Sequence, residues 1–187
     1  MEKKAVLVVI SGPAGTGKGT VVKELVKRGK AEISISATTR NPRGQEQNGV
    51  EYHFLTREKF ESMIAQDGFL EYAQYCGNYY GSPKAPVDKW LSEGKNVILE
   101  IEVEGYKKIK AKRPDCIGIF IMPPSVEELE KRLRGRNTET EEQIKKRLAR
   151  AGEEMKLSEL YNYVVVNDTV QECADRIEDI FKKETSN

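Results

Sequence analysis

The 187-residue chain has one histidine, one tryptophan, three cysteines and almost no net charge, and each shortage narrows what it can do. His53 has no evident catalytic partner, and a solitary histidine is more often structural than catalytic. Cys76, Cys116 and Cys173 are far apart and show no C-x-x-C spacing, so they read as reduced structural thiols in a cytoplasmic protein. Lys and Arg number 31 against 30 Asp and Glu, leaving a net charge of +1 and no global field for a nucleic acid partner. Any anion this chain binds must be met by locally placed cations. The opening "MEKKAVLVVI" begins like a signal peptide but is interrupted at Ser11, Gly12 and Pro13. No other apolar run is long enough to span a bilayer, so no membrane partner is expected. Internal repeats and low-complexity linkers are missing as well. Length and composition, with 38% apolar and 33% charged residues, predict one globular domain with an ordinary core.

What is present is a rhythm of short apolar runs: "AVLVVI" (5–10), "ISIS" (33–36), "NVILEIEV" (96–103), "CIGIFIM" (116–122) and "YVVV" (163–166). Runs of this kind, bounded by turn residues and alternating with helical patterns, predict a parallel α/β sheet buried on both faces. A helix over 17–28 ends at Gly29, and Ser125 with Glu128, Thr140 with Gln143, and Thr169 with Glu172 read as capping boxes. Residues 37–82 break the rhythm with a short helix over 57–66 and a hairpin at Gly77 and Asn78. Residues 131–150 form two helical pieces joined by a polar turn over 135–140. The first interruption reads as an inserted β-rich subdomain and the second as a basic, mobile lid.

The stretch "GPAGTGKGT", residues 12–20, follows an apolar strand and opens a helix, which is the setting of a phosphate-binding loop. Gly12, Gly15 and Gly17 let backbone N–H groups converge, with Pro13, Ala14 and Thr16 between them, and Lys18 can reach the β- and γ-phosphates of a nucleotide. Gly19 stands where the motif normally offers a hydroxyl to Mg²⁺. Thr20 lies one residue on, about 100° further around the helix. The string "GKGT" resembles the loop of adenylate kinases, which points to a nucleotide kinase in which Mg²⁺ relies on phosphates and water.

Guanine signals of the N-K-x-D type are missing, which weakens a switch-GTPase reading. Arginines instead cluster: Arg40 and Arg43 flank Pro42, Arg132 and Arg136 are spaced i, i+4, and Arg147 and Arg150 i, i+3. A phosphate acceptor is already ionised at neutral pH and needs no general base, which suits a histidine-poor kinase acting on a nucleoside monophosphate.

The segments "SISATTRNPRGQEQNGVEYHF", "FLEYAQYCGNYYGSP" and "RLRGRNTETEEQIKKRL" resemble the GMP-binding and lid segments of guanylate kinases. With the phosphate loop, "ILEIEVEG" and "VVVND", the likeness covers nearly the whole chain in family order. It implies a P-loop NTPase-like α/β core (about 1–36, 83–130 and 151–187), an inserted GMP-binding region (about 37–82) and a helical lid (about 131–150). The implied reaction is ATP + GMP ⇌ ADP + GDP in purine metabolism, with dGMP as a further acceptor, Mg²⁺ as cofactor, and a monomer or small homo-oligomer as the enzyme. Ser36, Arg40, Arg43, Tyr52 and Tyr80 then grip the GMP phosphate, while Glu71 and Ser82 read guanine. A carboxylate and a hydroxyl complement guanine's N1–H and N2–H₂ donors, whereas adenine would face the carboxylate with an acceptor. Glu100 and Glu102 occupy the positions of a commoner "DID", with period-two spacing that puts both on one face at a strand end; one orients Mg²⁺-bound water and the other contacts GMP. Arg136 and Arg147 correspond to lid arginines over the ATP phosphates, and Arg132 and Asn167, followed by Asp168, to the adenine side. Trp90 reads as a packing residue.

Two rivals remain at this level. One is a related P-loop kinase with another phosphate acceptor. The other is a non-catalytic module of the same fold that binds phosphorylated partners, against which Lys18 and the lid arginines speak.

Overall fold

The computed structural model describes residues 4–135 and 139–186. In chain order the elements are β1 (Leu7–Ser11), α1 (Lys18–Lys27), β2 (Glu32–Ile33), β3 (Ala37–Thr38), β4 (His53–Phe54), α2 (Arg57–Ala65), β5 (Phe69–Tyr75), β6 (Asn78–Pro83), α3 (Lys84–Ser92), β7 (Val97–Glu100), α4 (Val103–Lys112), β8 (Ile117–Met122), α5 (Val126–Gly135), α6 (Glu141–Lys156), β9 (Tyr163–Val166) and α7 (Val170–Thr185). They build two sheets. The larger has order β2-β7-β1-β8-β9 with every pairing parallel, and the smaller has order β4-β3-β6-β5.

β1 shows why the central runs carry no polar alternation. Val8 and Ile10 pack with Val21, Val22 and Leu25 of α1 and with Ile177 and Phe181 of α7, while Leu7 and Val9 pack with Val103, Tyr106 and Ile109 of α4. Both faces of the strand are therefore dry, and each such side chain contributes about 1.5–3 kcal/mol of burial. Arg28, just past α1, fastens that helix to α7 by pairing with Asp175 at 2.6 Å and Glu178 at 2.9 Å.

The smaller sheet has its own core. Phe60 of α2 is fully buried and stacks on Phe69 at 4.2 Å and on Tyr79 at 5.1 Å between ring centroids. α5 and α6 pack on each other through Leu129, Leu133, Leu148 and Ala151.

Several sequence expectations change here. The hairpin between β5 and β6 turns at Cys76 and Gly77, both at positive φ (48° and 79°), with Tyr75 paired to Asn78. Asn78 thus opens the return strand rather than forming the turn. Cys76 is exposed at that tip, unlike the buried Cys116 and Cys173. The strand expected over 33–36 is confined to Glu32–Ile33. The strand expected over 96–103 stops at Glu100, because Glu102 caps α4 and Val103 is already helical. The reciprocal capping box is complete at Thr140 and Gln143. Ser125 and Thr169 make the forward half, accepting the N–H of Glu128 at 3.0 Å and of Glu172 at 3.3 Å, while the Thr169 hydroxyl also donates to the Glu172 carboxylate at 3.1 Å. Trp90 packs against the core as expected.

Candidate active site

The phosphate loop runs from the end of β1 into α1, and two neighbours dictate its glycines. A Cβ on Gly12 would lie 2.3 Å from the carbonyl oxygen of Ile121, and one on Gly17 would lie 2.7 Å from Nδ2 of Asn167. Gly17 also has φ 83°, a left-handed value costly for other residues. The Thr16 hydroxyl donates to the Pro13 carbonyl at 2.9 Å, and Lys18 Nζ donates to the carbonyls of Gly12 at 2.5 Å and Pro13 at 3.0 Å. Gly19 is not forced by sterics: a Cβ there would sit 3.7 and 3.8 Å from the two Glu100 carboxylate oxygens. Thr20 is exposed on α1.

Asn167 is the clamp that joins the far end of the sheet to this loop. It is 3% exposed and donates Nδ2 to the Thr16 carbonyl at 2.6 Å, while its Oδ1 is buried without a partner. Its carbonyl accepts from Arg132 at 3.1 and 3.2 Å, and Arg132 also pairs with Glu128 at 3.1 Å. Loop, α5 and the turn after β9 therefore meet at one place.

Beside the loop lies a cleft of about 490 Å³ whose charged lining is Lys18, Glu100, Glu102, Arg147, Arg150 and Glu154. Arg147 pairs with Glu139 at 2.8 Å, and Arg150 with Glu102 at 3.1 Å and Glu154 at 2.7 Å. The same-face spacing of Arg147 and Arg150 is thus realised, with both side chains turned to the cleft that holds Lys18. Glu102 departs from the expected strand-face pairing with Glu100: it is exposed, at the start of α4, and bonded to Arg150. Arg136 lies outside the described residues.

The remaining site residues gather on the smaller sheet and the segments that flank its strands. Arg40 forms a two-point pair with Glu46 at 2.7 and 2.8 Å and lies over the ring of Tyr52 at 5.1 Å. Tyr52 meets Tyr80 edge to face at 6.1 Å. Arg40 holds the Glu46 carboxyl down to about 2, and burial pushes the Tyr52 phenol up, opposed by Arg40. Arg43 is exposed, and Ser36 is half-buried with its carbonyl accepting from His53 N–H at 2.8 Å.

Across the β5–β6 pairing, Glu71 and Ser82 are buried, with the serine hydroxyl donating to Glu71 Oε1 at 2.9 Å. Desolvation raises the Glu71 carboxyl above its ordinary value, while Ser82, Lys108 and Lys112 pull it back. A buried acid with one oxygen committed to a hydroxyl retains acceptor capacity for a ligand with N–H donors.

Sequence reasoning missed Glu46, Glu139 and the clamping bond of Asn167. Glu46 lies six residues past Arg40 in an irregular loop, where no helical or strand period marks a partner. Only the capping position of Thr140 hinted that Glu139 stands at the α6 entrance.

A parallel sheet, a glycine loop at the end of its central strand and a cleft that sets Lys18, Arg147 and Arg150 beside carboxylates define a P-loop nucleotide-binding protein of the kinase type. The guanylate kinase family model matches residues 4–184. A guanylate kinase of Clostridium perfringens is 52% identical over 184 residues, covering 98% of this chain and 85% of the relative. One from Prochlorococcus marinus is 49% identical, covering 95% of this chain and 97% of the relative. The crystal structure of guanylate kinase from Anaplasma phagocytophilum superposes with TM-score 0.78 at 32% identity, covering 100% of this chain and 89% of that one. The chain belongs to the guanylate kinase family, whose enzymes transfer a phosphoryl group from ATP to GMP. Among the described residues no helix is long and apolar enough to cross a membrane.

Proposed function

We propose that the ATP-dependent phosphorylation of GMP to GDP, which family membership gives this chain, proceeds by direct in-line transfer between sites on the two sheets. The observation that carries the assignment of sites is the buried Glu71–Ser82 pair on the same sheet as Tyr80, with Arg40 just past β3 and Tyr52 just before β4 of that sheet. Glu71 and Ser82 read the guanine edge, and Ser36, Arg40, Arg43, Tyr52 and Tyr80 hold the GMP phosphate. The loop 12–20 with Lys18 holds the ATP phosphates, and Arg132 and Asn167 shape the adenine side.

GMP brings its own ionised oxygen, so no residue must remove a proton from it. The protein's task is to align that oxygen with the γ-phosphorus and to neutralise charge as the bond to ADP breaks. Lys18 begins bonded to loop carbonyls, and its ammonium moves to the phosphates when they arrive; Arg147, with Arg136, adds charge from the α5–α6 region. Region 37–82 and region 131–150 close on the core and exclude water, which would otherwise take the phosphoryl group. dGMP is accepted as well, because none of the named contacts needs the 2′-hydroxyl.

Mg²⁺ fits this site. Glu100 presents its carboxylate beside Gly19 and Lys18, a single protein carboxylate of the kind Mg²⁺ uses when phosphates and waters complete its shell. Glu100 would hold it through water, with Thr20 the nearest hydroxyl on α1. When bound, the ion neutralises charge on the β- and γ-phosphate oxygens.

The test is ADP formation from ATP and Mg²⁺ with GMP, dGMP, AMP, UMP and CMP in parallel, with Lys18→Ala as control. GMP and dGMP should support turnover that the control lacks. Equal turnover with all five acceptors would overturn the assignment of Glu71 and Ser82.

A further inference from the structure

Arg40 is the most completely held cation near the smaller sheet. Its side chain is 9% exposed, with the rings of Tyr52 and Phe54 at 5.1 and 5.8 Å from the guanidinium carbon. A guanidinium has five N–H donors arranged along two forked edges, one at its end (Nη1 and Nη2) and one at its side (Nε and Nη2). Nη1 donates to the Asn41 carbonyl at 2.8 Å and to Glu46 Oε2 at 2.7 Å, and Nη2 donates to Glu46 Oε1 at 2.8 Å. Glu46 therefore takes the whole end fork. Among the described residues no carboxylate or carbonyl takes the side fork, and the Tyr52 phenol also lies within reach of the guanidinium. Glu46 Oε2 accepts a further bond at 2.8 Å from the backbone N–H of Arg43, so one carboxylate fixes both the Arg40 fork and the turn that carries Arg43.

We infer that Glu46 is a positioning residue for the acceptor: it holds Arg40 by the end fork so that the side fork, Nε–H with the second Nη2–H, receives the GMP phosphate. The inference deepens the proposed site and rests on Arg40 gripping that phosphate. Two physical consequences favour this division of the guanidinium. A long side chain carrying about 2 kcal/mol of rotamer entropy is already immobilised, so that ordering cost is not charged to GMP. The carboxylate and the incoming dianion also end on different edges of the planar cation, which separates the like charges and lets each keep a two-point bond. Three anchoring hydrogen bonds to Glu46 make its displacement by phosphate the less favourable alternative. Glu46 touches no reacting atom; it acts through Arg40.

The experiment is a double-mutant cycle on the whole enzyme, reading KM for GMP, KM for ATP and kcat in Glu46→Gln, Arg40→Met and the double variant. In Glu46→Gln the amide puts a donor against the fork, and KM for GMP should rise roughly tenfold, a value within the range for hydrogen bonds to charged groups, with KM for ATP unchanged. In the Arg40→Met background the same substitution should leave KM for GMP unchanged or lower it, because a carboxylate without its arginine only repels the phosphate. An equal rise in both backgrounds, or no rise in the parent, overturns the positioning role. If Arg40→Met itself leaves KM for GMP unchanged, the phosphate role of Arg40 fails, and that of Glu46 with it. Glu46→Asp separates geometry from charge and guards against a misfolded loop in the glutamine variant. It keeps the charge but falls short of the fork, so KM for GMP rises several-fold if position matters, and parental KM would refute the inference.

Discussion

Replacing Glu71 by Gln keeps the shape of a buried side chain and removes one acceptor oxygen, which makes it a direct probe of guanine recognition. Glu71 is 8% exposed and its carboxylate receives the Ser82 hydroxyl at 2.9 Å, leaving lone pairs on both oxygens. Guanine's N1–H and N2–H₂ can each be met by a carboxylate oxygen, whereas the amide of Gln meets one and opposes the other with its own N–H. The loss is one hydrogen bond to a charged group plus an unpaired buried donor, about 2–4 kcal/mol, or roughly 30- to 1000-fold in kcat/KM for GMP. KM for ATP should not move. AMP turnover should not fall either, because the amide can donate to adenine N1.

Stability should respond in the opposite sense. Desolvation raises the folded-state pKa of Glu71, so ionising it costs more in the folded protein than in the unfolded chain. Its favourable contribution is complete below the unfolded carboxyl pKa and is lost as pH rises through the raised folded value. Glu71→Gln removes that dependence, and at pH 8 its Tm should equal or exceed the parent's. Steady-state kinetics with GMP and AMP, together with thermal unfolding followed by circular dichroism, read both effects. A kcat/KM for GMP within threefold of the parent, or a Tm several degrees lower at pH 8, would show that Glu71 is a packing residue rather than a reader of guanine.

Gly17→Ala places a Cβ 2.7 Å from Asn167 Nδ2 at φ 83°, so the clamp and the loop cannot both keep their positions. KM for ATP should rise with KM for GMP little changed, and an unaltered KM for ATP would refute the clamp. Phe60→Ala empties the centre of the Phe69 and Tyr79 stack and should cost about 3–5 kcal/mol, read by chemical denaturation, with GMP binding weakened more than ATP binding. Equal weakening of both would mean the smaller sheet does not serve the acceptor alone.

The sequence by itself determined the periodic and local features. The unbroken apolar runs announced a parallel sheet because strands dry on both faces cannot alternate, and Val8 and Leu7 are indeed buried on opposite sides. The phosphate loop was legible because its glycines, lysine and flanking elements are contiguous, and Thr140 with Gln143 announced its cap for the same reason. What only the tertiary structure decided are contacts whose partners have no fixed spacing. Asn167 reaches Thr16 across 151 residues, and Glu46 reaches Arg40 through an irregular loop. Glu102 shows the limit of local periodicity: its spacing from Glu100 promised a shared strand face, but the chain leaves the sheet after Glu100 and gives Glu102 to Arg150 instead. Such pairings are fixed when helices and sheets pack, since packing determines which donor finds which acceptor.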